Sequence, residues 1–139
     1  GSVFVALFLA YWSGIINGGQ LGAASAALAE SKVAIPWWPA LLRGIGCNWL
    51  VCLAVWMALA AEDISGKILA IWWPIMTFVT LGLEHSVANM FFIPLGMLNG
   101  ANVTVGQFLF SNLLPVTIGN IIGGAGFVGA VYWWIYGRD

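Results

Sequence analysis

From residue 68 to residue 137 only two side chains can carry charge near neutral pH, and they are neighbours: Glu84 and His85. A stretch so long and so poor in charge cannot be the wetted surface of a soluble domain. Soluble domains carry about 25% charged residues, whereas this chain has 6%, with 62% hydrophobic residues. The polar shell that a buried soluble core requires is missing, so the expected class is an all-α integral membrane protein. A net charge of −1 with no basic run excludes nucleic acid as a partner.

A hydrocarbon core about 30 Å thick takes about 20 apolar residues of helix. On that measure the chain predicts a partial span over residues 3–16, stopped by the turn signal NGGQ at 17–20. Further spans are expected over 42–61, over 68–98 with a break near 82–90, and over 113–136. All of them belong to a single transmembrane domain, 1–139. The opening GSVFVALFLAYWSG reads as helix interior, and the expectation is a fragment that begins partway through a transmembrane helix. The Ala-rich stretch LGAASAALAESKVAIPWWP lies between the first two spans and is assigned to neither.

Trp37-Trp38, Trp72-Trp73 and Trp133-Trp134 read as aromatic anchors at headgroup level. The basic residues do not orient the chain: Lys67 and Arg138 fall on one side, Lys32 and Arg43 on the other. Cys47 and Cys52 point to different faces of one presumed helix, which disfavours a disulfide, and no partner ligands suggest a metal, so both are read as packing residues. GSVFVALFLAYW at the start echoes GAGFVGAVYWWI near the end, either by chance or as an internal repeat of the kind found in transporters.

The chemistry concentrates in GLEHSVANMFFIPLG, residues 82–96. An unpaired ion at the bilayer centre costs a few kcal/mol or more, so Glu84 and His85 must face protein or water. Adjacent residues on a regular helix point about 100° apart and cannot both face one cavity. A helix break relieves that constraint: Gly82 loosens the backbone, Ser86 and Asn89 can satisfy freed groups, and Pro94 donates no hydrogen bond. Half-helix N-termini placed at the midplane would attract anions. His85 is either a structural histidine or a pore-lining one, and the flanking Glu, Asn and helix breakers favour the pore. Asn48 is open between packing and pore, while Asn120 with its glycines in TIGNIIGG is read as a helix–helix contact.

Three blocks, CNWLVCLAVWMA (47–58), EHSVANMFFIPLG (84–96) and LLPVTIGNIIGG (113–124), together resemble the formate/nitrite transporter family. The resemblance implies an aquaporin-like fold of six helices in two inverted three-helix repeats, assembled as a homopentamer with one pore per protomer. On that map the chain runs from the end of helix 3 through helix 6, and the broken second helix lies outside it. His85 matches the family's central pore histidine, with Glu84 and Asn89 as its neighbours. Lys32 matches a lysine that draws anions into the vestibule, Asn48 a pore-facing polar residue, and Phe78 part of a hydrophobic constriction. The implied function is a multi-pass inner-membrane channel or transporter for small monovalent anions of weak acids. NMFFIPLGM favours formate, with nitrite or hydrosulfide as the alternative cargo.

A bare anion is expensive to bring into an apolar constriction, and His85 has a reference pKa of about 6.5, near working pH. The expected mechanism is proton sharing from His85 to the passing anion, with Glu84 or Asn89 fixing the imidazole. An intramembrane enzyme built on Glu84 and His85 is the rival class, but no cluster of nucleophiles or metal ligands accompanies them. The chain is therefore read as a non-enzyme without cofactor or metal. A purely structural subunit would need no charge at the midplane.

Overall fold

A computed structural model describes residues Gly1–Gly137; Arg138, counted above for orientation, lies outside the described residues. Among these the chain is helical, with no strand. We number the helices α1 (Ser2–Tyr11), α2 (Gly19–Val33), α3 (Trp37–Ala60), α4 (Ile64–Thr80), α5 (Ser86–Leu98) and α6 (Gln107–Tyr136). Helices α3 and α6 are long and apolar enough to cross a membrane, while α1, α4 and α5 are shorter apolar helices. Val5–Tyr11, Gln107–Leu113 and Ile122–Ala130 are wound as π-helix, the wider form that α-helices adopt mostly in single turns.

The chain forms two compact units. The first comprises Gly1–Ala40 with Ser86–Pro115, and the second Leu41–His85 with the chain from Val116 onward.

In the first unit α2 forms despite a weakly apolar sequence, because alanine is the strongest helix former. Small residues let it lie close against α5: a Cβ on Gly96 would collide with Ala29 Cβ and the Ser25 carbonyl. Ala29, Ile93 and Val103 form one buried cluster, and Ala6, Ala10 and Leu95 another. Asn99 ties α1's exit to α5's end, accepting from the Gly18 N–H at 2.8 Å and donating to the carbonyls of Ile16 and Leu95.

In the second unit α3 and α6 meet through glycines. Added Cβ atoms at Gly119 and Gly123 would run into the carbonyl oxygens of Leu41 and Ile45, the close backbone approach that small residues allow between membrane helices. Asp63 caps α4, its carboxylate accepting from the Gly66 N–H at 2.9 Å. Asp63→Ala is expected to destabilise by about 1 kcal/mol, checked by the thermal transition of the detergent-solubilised protein.

Both α4 and α5 stop by the same backbone device. After α4, Gly82 takes φ 64°, its N–H donates to the Val79 carbonyl at 3.1 Å, and the Leu83 N–H donates to Phe78 at 3.0 Å. After α5, Gly100 takes φ 91°, its N–H donates to Met97, and the Ala101 N–H donates to Gly96 at 2.9 Å. Each is the paired closure in which a left-handed residue turns the chain back onto the last helical carbonyls. The prolines do not end their helices: Pro74 and Pro94 lie inside α4 and α5.

Candidate functional site

His85 stands at the end of a short non-helical link that opens at the Gly82 turn, and α5 begins with the next residue, Ser86. It is half-buried, and the ring of Phe78, from the last turn of α4, lies 6.2 Å from the imidazole, centroid to centroid. The closure around Gly82 is what returns the chain past Phe78, so the aromatic neighbour follows from the helix stop.

Glu84 is buried. Its main chain is held at both ends: the N–H donates to the Arg43 carbonyl at 3.4 Å, and the carbonyl accepts from Asn120 Nδ2 at 3.0 Å. Asn120 spends its second amide hydrogen on the Gly44 carbonyl at 2.8 Å. Its own main-chain carbonyl accepts from Asn48 Nδ2 at 2.7 Å. Two polar side chains thus knit α3, α6 and the link before His85. The reading of Asn120 as an interhelical contact is what the hydrogen bonds show, with the addition that one of its partners is the peptide group joining Glu84 to His85. Asn48 makes an interhelical bond as well, against the same face where Gly124 passes closely enough for a Cβ to strike Asn48 and Cys52.

In the first unit Lys32 is half-buried in the last turn of α2, with its ammonium 6.0 Å from the centre of the Phe92 ring. At that range a cation is attracted by the ring's electron-rich face. Asn89, fully buried on α5, donates through Nδ2 to Asn112 Oδ1 at 2.7 Å. Asn112 Nδ2 donates in turn to the Lys32 carbonyl at 3.0 Å.

The structure therefore brings Lys32 and Asn89 together through Asn112, joins Asn48 to the Glu84 link through Asn120, and stands Phe78 beside His85. Sequence reasoning did not single out Asn112. The available signal was a polar amide directly before the apolar run LLPV, where a lipid-facing residue would be apolar. Among the described residues no three His, Cys, Asp or Glu side chains gather to hold a metal ion.

The family description "Formate/nitrite transporter" matches residues 1–134. A probable formate transporter of Methanothermobacter thermautotrophicus is 49% identical over all of this chain and 56% of its own length. The formate channel BtFdhC of Bacillus thuringiensis is 44% identical over 100% of this chain and 52% of its own. Among solved structures, a pentameric formate channel with formate bound superposes with a TM-score of 0.83 at 35% identity, covering 99% of this chain and 61% of that one. An ion channel of the same family superposes at 0.86 with 38% identity, covering 96% of this chain and 53% of that one. The chain thus spans about half the length of the curated relatives it matches. A family match across nearly the whole sequence, together with the helical membrane fold of these channels, leads to one assignment: the chain belongs to the formate/nitrite transporter family.

Proposed function

We propose that the whole protein is a multi-pass channel or transporter of the inner membrane that passes small monovalent anions of weak acids, formate foremost. The observation that carries this reading is His85, half-buried beside Phe78 at the head of α5 in an otherwise apolar stretch. An imidazole there can lend a proton to a carboxylate that has shed its water, so that the apolar passage is crossed as the neutral acid. Lys32 supplies the positive charge that concentrates the anion before it enters. Glu84, the buried residue before it, fixes the backbone from which the imidazole projects, its N–H on the Arg43 carbonyl and its carbonyl on Asn120.

Two relatives named as formate transporter and formate channel support formate as cargo, and the pentameric neighbour supports a homopentamer. Transport needs no cofactor and leaves the anion chemically unaltered, so the protein is not an enzyme. The test is flux of formate, nitrite and hydrosulfide into proteoliposomes holding the full-length protein, across pH. Formate is expected to enter fastest, with a rate that falls as pH rises through the imidazole's titration. A faster nitrite or hydrosulfide flux would move the cargo within the family, and the absence of all three would refute the reading.

A further inference from the structure

We propose that Asn112 is a positioning residue for Lys32, an inference that rests on the transport reading above for its effect on the anion. Asn112 is fully buried, and its amide spans two elements of the first unit. Through Nδ2 it donates to the Lys32 carbonyl in the last turn of α2, and through Oδ1 it accepts from Asn89 on α5. The last carbonyls of a helix have no partner inside the helix, and a helix end frays unless something outside holds it. Lys32 sits in that last turn, one residue before the helix ends at Val33. Its carbonyl bond to Asn112 fixes the Cα from which the side chain starts, and with it the ammonium above the Phe92 ring.

The amide is matched to its two partners in a way few side chains could copy. It must present a donor to a carbonyl and an acceptor to an amide N–H at once, from a site with no exposure. A carboxylate lacks the donor, a hydroxyl lacks the reach, and an apolar side chain leaves buried polar groups on both elements without their partner. Loss of the tether would allow α2's last turn to fray and would spread the charge of Lys32 over many positions. The anion would then be drawn less strongly, while the passage itself would keep its width. The effect falls on the concentration dependence of flux more than on its maximum.

The experiment uses the full-length protein and Asn112→Ser, with two readouts. The first is formate flux in proteoliposomes against formate concentration, alone and combined with Lys32→Ala. The half-saturating concentration is expected to rise about fivefold in Asn112→Ser, with the maximum rate nearly kept. In the Lys32→Ala background the same substitution should add nothing, because residues acting through one another are not additive. The second readout needs no cargo: the rate at which a succinimidyl ester labels the Lys32 amine, followed by mass spectrometry, is expected to rise about fivefold when its turn is released. Should Asn112→Ser fail to assemble, Asn89→Ser removes the other end of the relay and is expected to raise the labelling in the same direction. Unchanged labelling, or a full additive effect on top of Lys32→Ala, overturns the positioning role. A wild-type protein that carries no formate refutes the proposed function instead, and the labelling rates still decide the case of Asn112.

Discussion

His85→Phe is expected to remove the imidazole's step from the pH profile of formate flux and to lower flux on the order of a hundredfold where the native imidazole is protonated, the low end of what a positioned proton donor contributes. Phenylalanine keeps the ring and its contact with Phe78, 6.2 Å away in the native protein, but cannot hold a proton. The sign follows from the role. A donor is competent while protonated, so the contribution of His85 is present below its pKa and fades above it. In the variant that step in the profile should be gone. What flux remains should follow only the supply of neutral acid in bulk water. The measurement is initial formate uptake in proteoliposomes at matched protein density across pH. A variant whose profile overlays the native one at equal flux would leave the imidazole as a packing element and would refute the proton role.

A second large effect is expected from Gly123→Val, alone and with Gly119→Val. Cβ atoms at these positions would strike the carbonyl oxygens of Ile45 and Leu41, and main-chain atoms in a helix cannot swing aside as a side-chain tip can. Overpacking costs about 1–3 kcal/mol where side chains can adjust. Here α3 and α6 would have to separate, stretching the bonds from Asn120 to Gly44 and from Asn48 to Asn120. The expected result for the double variant is loss of folded protein from detergent extracts, and for Gly123→Val a lowered thermal transition. Gly126 is the control. It lies on the same helix with open space around its Cβ direction, and Gly126→Ala should change stability by no more than about 0.5 kcal/mol. Equal behaviour of the two glycines would mean that the close contact is not what holds the unit.

The helical membrane class could be read from the sequence because scarcity of charge is a property of the whole chain and survives any local error. Gly82 signals the interruption after Thr80 in advance, since an isolated glycine inside an apolar run is the residue that takes a positive φ without strain. The helix Gly19–Val33 could not be read in the same way. Its alanines give neither a strong apolar stripe nor the length of a span, and it is its fit against Gly96 that stabilises it. Pro94 misleads in the other direction: it looks like a breaker, yet α5 continues through it to Leu98. Asn112 was hidden because nothing in a linear sequence reveals which main-chain carbonyl a distant amide will reach, and its two partners lie on other helices.

The stop after α4 is made by main-chain geometry at Gly82 and by carbonyls already present in the helix, not by the side chains that follow. The peptide group before the imidazole is likewise fastened through its oxygen, by Asn120. The seat of the histidine is therefore independent of its occupant. A ring, an amide or a carboxylate installed there would be presented from the same backbone, so chemistry at this position can be redesigned without rebuilding the frame.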